Sequence, residues 1–238
     1  MSNMNYPQER QTYEQSFVST MNRVYLLMFA GLFVTTLAAL LVITVPGILY
    51  AIFSSSIAFY GLIIAEFALV FILSARIGTM ASATALTLFF LYAFVNGLTL
   101  SSIFIVYEIS SIYAAFGVTA LTFGAMSLIG ATTKRNLSGI GGYLTMGLIG
   151  VIIASVVNLF LGNSTLDIII SIVAILVFVG LTAYDTQKIK QMLQSADSDS
   201  YQDHTEIIRK ISVIGALKLY LDFINLFLQI LRLFGKRR

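Results

Sequence analysis

Seven long apolar runs separated by short polar or charged breaks organise this chain: Val24–Val45, Ile57–Ala75, Ala81–Val106, Ile112–Ala131, Tyr143–Leu161, Ile168–Thr182 and Ile214–Phe234. About 20 apolar residues, rising 1.5 Å each, cross a hydrocarbon core of about 30 Å. Each run therefore predicts a membrane-spanning helix, the sixth being short enough to draw in Asp167 or Tyr184. Pro7 and Pro46 fall outside the predicted helices. The pattern gives a polar N-terminal segment at 1–23, one seven-helix domain at 24–235 and a basic tail at 236–238. The first run is long enough to stay as a helix, unlike the short apolar region of a signal peptide.

Composition points the same way. The chain is 58% hydrophobic and 11% charged, whereas soluble domains carry about a quarter charged residues. Cysteine is absent, which excludes disulfides and thiolate metal sites. The pI of about 9.1 does not point to nucleic acid, because the basic residues sit in short loops between apolar runs.

Those loops set an orientation. Arg10 and Arg23 precede the first run; Arg76, then Lys134 and Arg135, then Lys188, Lys190, Arg209 and Lys210 fall in the even loops. The odd loops offer only Glu108 and Asp167 as nearby charges. Such asymmetry places the N-terminus and the even loops in the cytoplasm. Lys236, Arg237 and Arg238 run against it, since a seventh crossing exports them. The last helix either crosses despite these charges or enters and turns back, buried in protein. A full crossing is the expectation.

Ionisable residues at membrane depth cost roughly 3 kcal/mol each, so each is a candidate for function. Here they are Glu66, Arg76, Asp185, Lys218 and Asp222. Asp222 is the deepest acid of the last run, and its plain alternative is a structural hydrogen bond to a neighbouring helix. Asp185 sits at the predicted cytoplasmic end of the sixth helix, where the plain reading is a solvated carboxylate. Lys218 lies four residues before Asp222, on the same helical face, so it either pairs with that acid or carries its charge to the interface. Glu66 is a candidate ion-path residue or a buried polar contact, and Arg76 reads first as a cytoplasmic anchor. Asn96, Asn158 and Asn225 read as interhelical contacts, and Gly150 with Ala154 as a close-packing pair.

Enzyme chemistry finds little support. His204, the only histidine, lies in the polar stretch Asp197–Glu206, which also lacks the glycine and spacing of a calcium-binding loop. Ser138-Gly139-Ile140-Gly141-Gly142 lacks the Lys-Ser/Thr ending of a phosphate loop. Tyr184-Asp185 matches half of an intramembrane aspartyl protease motif, but Leu221 precedes Asp222 where the other half needs glycine. A lysine in the seventh helix suggests retinal, yet there is no tryptophan to line a retinal pocket.

Two segments are specific enough to name a family. Leu181-Thr182-Ala183-Tyr184-Asp185-Thr186-Gln187-Lys188-Ile189-Lys190 and Leu219-Tyr220-Leu221-Asp222-Phe223-Ile224-Asn225-Leu226-Phe227 resemble the signature segments of the Bax inhibitor family. Thr132–Gly139 is similar to its fourth loop and Leu100–Phe104 to its third helix, and the likeness is strongest to the bacterial inner-membrane branch. The resemblance implies an all-α fold in which six helices surround a central C-terminal helix. It also implies a pH-sensitive calcium leak in a multi-pass inner-membrane protein. Asp185 and Asp222 would share a proton and latch the pore, with calcium a transient visitor at the two acids and no bound cofactor. In some members an arginine late in the second helix supports the pair; the nearest here is Arg76. Lys218 departs from the usual uncharged residue. Two carboxylates in a poorly solvated site cannot both ionise cheaply, so they titrate as a unit. The expected partner is the lipid bilayer. The alternative function is a non-conducting regulator that binds a membrane protease or other membrane protein.

Overall fold

In a computed structural model of the chain, residues 6–198 and 204–238 are described, with side chains from 18 to 196 and from 205 to 238. The side chains of Glu9, Arg10, Glu14 and His204, and most of the polar stretch from Asp197, lie outside that range. Described residues form an all-α bundle: α1 (Tyr6–Thr44), α2 (Pro46–Phe53), α3 (Ser56–Arg76), α4 (Ser82–Leu100), α5 (Ile103–Val106), α6 (Ile109–Thr132), α7 (Ser138–Leu161), α8 (Ser164–Ser198) and α9 (His204–Phe234). Seven segments are long and apolar enough to cross a membrane: Val18–Thr44, Ser56–Arg76, Ser82–Val106, Ile109–Thr132, Ser138–Leu161, Ser164–Ala196 and Thr205–Phe234. Each contains one of the seven runs expected from the sequence, to within a residue or two at the ends.

Several boundaries depart from expectation for local reasons. Both prolines start helices instead of lying outside them: Pro7 is the second residue of α1 and Pro46 the first of α2. The first turn of a helix needs no N–H donor, so proline is tolerated there. The third span breaks at Ser101–Ser102, where Phe104 N–H bonds the Ser101 carbonyl at 3.1 Å and Ile105 N–H that of Ser102 at 3.1 Å. These are the tighter three-residue steps of a 3₁₀ turn. α7 stops at Gly162, whose φ of +60° is the left-handed cap that glycine adopts without a Cβ penalty. The largest correction concerns α8. It is 35 residues long, about 52 Å, so Asp185 lies in its interior and not at its end.

The chain forms two compact units. The first comprises residues 1–99 and 189–217. Within it, Thr35 Oγ1 donates to the Ala93 carbonyl at 2.9 Å, joining α1 to α4. Gly97 permits that approach, since a Cβ there would run into the Thr35 carbonyl. Glu206 at the start of α9 accepts from Ser82 N–H and Ser82 Oγ, both at 2.7 Å, and so caps α4.

The second unit comprises residues 100–188 and 218–238. Gly130 of α6 packs directly on the backbone of Ala183 in α8, and Gly141 of α7 lies under the Tyr184 ring. Gly150, expected at an interface with Ala154, instead faces open space. Asn225, expected to join helices, donates within its own helix to the Leu221 carbonyl at 2.8 Å.

The end of α9 gives the basic tail its partners. The helix runs from His204 to Phe234 without the reversal a re-entrant segment requires. Its tail then lies against the third loop: Glu108 N–H bonds the Lys236 carbonyl at 3.0 Å and Arg238 N–H the Val106 carbonyl at 3.0 Å. Lys236 Nζ pairs with Glu108 Oε1 at 2.9 Å, and Arg232 with Asp167 at 3.3 Å. The acids left isolated in the odd loops are thus the partners of the terminal cations.

Candidate functional site

The two signature segments meet in the second unit. Around Asp185, each neighbour in α8 holds a different partner. Ala183 is fixed by Gly130 of α6 and Tyr184 by Gly141 of α7. Thr186 and Ser127 share a hydrogen bond of 3.3 Å between their hydroxyl oxygens. Gln187 Nε2 donates to the Arg135 carbonyl at 2.9 Å, while its Oε1 accepts from Leu137 N–H at 2.7 Å. This stretch of α8 is therefore locked in rotation and depth by α6, α7 and the fourth loop.

Asp222 comes from the facing stretch of α9, where Phe223 stands edge-on to Phe116 at 5.4 Å and to Phe123 at 5.5 Å. Asp222 is 4% exposed, and its Oδ2 has no hydrogen-bond partner among the described residues. A carboxylate oxygen buried without a donor is costly. A proton, a nearby cation or both relieve that cost.

Lys218 supplies such a cation, though not as either sequence expectation had it. Its Nζ lies 2.8 Å from Asp185 Oδ1, across to the other helix instead of along its own helix to Asp222 or out to the interface. The Asp185 side chain is 11% exposed and that of Lys218 34%. Asp222 feels the charges of both. The structure thus brings Asp185, Lys218 and Asp222 into one cluster, with net charge −1 when all three are ionised. Sequence spacing along α9 offered only the intrahelical pair or the interface, because it carries no information about a residue 33 positions away.

The remaining candidates lie in the first unit. Glu66 of α3 accepts from Asn96 Nδ2 at 3.3 Å, with Thr99 also bonded to its carboxylate, and its Oε1 is buried with no partner among the described residues. Arg76 ends α3 with an exposed side chain that complements the helix dipole. It makes no ion pair with a described residue. Among the described residues no three His, Cys, Asp or Glu side chains gather as a metal site.

The family model described as Inhibitor of apoptosis-promoting Bax1 matches residues 17–238, which include all seven spans and both aspartates. The chain belongs to the Bax inhibitor family. It is 49% identical to the Inner membrane protein YbhL of Escherichia coli K12 over 218 residues, 92% of each chain. It is 45% identical to an uncharacterized protein of Borreliella burgdorferi over 91% of each chain. An uncharacterized protein of Rickettsia prowazekii, RP147, is 40% identical over 97% of this chain and 94% of its own. The two segments whose resemblance pointed to this family are the stretches that carry the buried acids. Gln187, Thr186 and Ser127 were not singled out from sequence as positioning residues. Gln187 and Thr186 lie inside the segment Leu181–Lys190 that resembles the family, which was the available signal. Ser127 carried none.

Proposed function

We propose that this chain is a passive, pH-sensitive cation leak of the bacterial inner membrane, with calcium as the transported ion and Asp185 and Asp222 as its gate. The observation that carries the reading is the unpartnered oxygen of buried Asp222 beside an aspartate already engaged by Lys218. With a proton on the pair, one carboxylate charge is gone and the facing stretches of α8 and α9 stay together. At higher pH both acids ionise and repel, Lys218 alone among the described residues opposes them, and the contact loosens. Calcium prefers six to eight oxygen ligands, so two aspartates hold it in passing, with water completing its shell. Lys218 must leave Asp185 before the ion can bind both acids, which makes this lysine part of the gate. No catalytic step is involved.

The last span has 72% of its most apolar window buried, against 6% for the second and 11% for the fifth. That supports a seventh helix surrounded by the other six. The name of the Escherichia coli relative supports the inner membrane, and the basic even loops support a cytoplasmic N-terminus. Purified protein in liposomes loaded with a calcium dye, assayed from pH 5 to pH 8, tests the proposal. A second reading, a non-conducting regulator that binds a membrane protein, is favoured by the Lys218 ammonium already standing where a cation would bind Asp185. Absence of flux at every pH would select it.

A further inference from the structure

Three helices of the first unit carry the same two-step pattern where they begin their spans. α1 has Arg23 and then Leu27, α4 has Ser82 and then Leu86, and α9 has Arg209 and then Val213. All six residues line one cavity of about 170 Å³. Four residues are one helical turn, about 6 Å along the axis, and side chains so spaced share a face. The three helices belong to the first, third and seventh spans, so all run into the membrane from the same side. In each, the polar residue is the outer one. The cavity therefore has a cationic mouth and an apolar floor one turn deeper.

Cations outnumber the acid at the mouth. Arg23 and Arg209 are exposed, and neither is ion-paired with a described acid. Glu206, whose carboxylate caps the cavity residue Ser82 and lies near Arg209 and Lys210, offsets one of these charges, and Arg23, Arg209 and Lys210 together outweigh it by two. We propose that this cavity binds an anionic phospholipid of the adjoining leaflet. Its phosphate lies on Arg23 and Arg209, and its first methylenes lie against Leu27, Leu86 and Val213. Guanidinium groups suit a phosphodiester, which they can hold bidentately. A free phosphate would use the mouth and gain nothing from the floor.

Native mass spectrometry of the purified chain tests this by titration with phosphatidylglycerol, phosphatidylcholine and inorganic phosphate separately. Wild type should retain phosphatidylglycerol in preference to phosphatidylcholine. R23Q/R209Q should bind it about 25-fold more weakly, from roughly five-fold per removed charge. The charge-matched K134Q/R135Q should bind like wild type, and circular dichroism should show equal helicity in all. Should R23Q/R209Q fail to fold, L86Q keeps both arginines and should weaken the lipid while leaving phosphate unchanged. Equal retention of the two lipids, unchanged phosphatidylglycerol binding in R23Q/R209Q or L86Q, or displacement of the lipid by equimolar phosphate would each overturn the proposal.

Discussion

Lys218→Met removes the ammonium 2.8 Å from Asp185 Oδ1 while keeping a stem of similar length. Breaking a buried ion pair from one side costs about 3–5 kcal/mol, because the surviving charge is left unpaired. Exposed pairs are worth only about 0–1 kcal/mol. Here the survivor is Asp185, 11% exposed, so the loss should be about 2–3 kcal/mol at pH 7. Asp185→Asn breaks the same contact but leaves an ammonium that is already 34% exposed on a flexible stem and can turn to water. Its cost should be about 1 kcal/mol. An orphaned carboxylate can also escape by binding a proton, which becomes about 1.4 kcal/mol easier for each pH unit of acidification. The Lys218→Met penalty should therefore fall to about 1.5 kcal/mol by pH 5, because the unfolded aspartate is still ionised there, while that of Asp185→Asn should not fall. Unfolding in mixed micelles, followed by far-ultraviolet circular dichroism at both pH values, measures this. Equal penalties at pH 7, or a Lys218→Met penalty that acidification leaves intact, would refute the reasoning.

Two further outcomes can be checked by simpler means. Gly130→Ala places a methyl against the Ala183 backbone and should cost about 1–3 kcal/mol by overpacking, whereas Gly150→Ala, which meets open space, should be neutral or slightly stabilising in the same unfolding assay. Cysteines introduced singly at Ser2, Ser55, Ser198 and Arg238 should react with an impermeant reagent in intact cells only at Ser55 and Arg238; external labelling at Ser198 would reverse the orientation.

The spans were legible because roughly 20 apolar residues in a row leave few alternatives to a membrane helix. The length of α8 was not, since beyond Thr182 the polar side chains of Thr186 and Gln187 mimic a helix end. In the structure those polar groups are buried and satisfied, by Ser127 and by the fourth-loop backbone. Asp185 was identified through its motif, yet its plain reading as a solvated end followed from that same misplaced boundary. The tail posed the converse difficulty. Lys236 and Glu108 are far apart in sequence, so their pairing left no periodic trace and the basic terminus looked like a violation of charge asymmetry. Gly130 and Gly150 look alike in the sequence; only the neighbouring helix distinguishes a close contact from open space.

The central claim is that Asp185 and Asp222 act as one pH-responsive unit. Calcium flux into dye-loaded liposomes, measured from pH 5 to pH 8 for wild type, Asp185→Asn, Asp222→Asn and the double variant, tests it most directly. Wild-type flux should rise with pH. Each single variant should stay folded and lose that dependence, and the double variant should add little, the non-additivity of two residues acting together. Single variants that keep the wild-type pH profile would contradict the account.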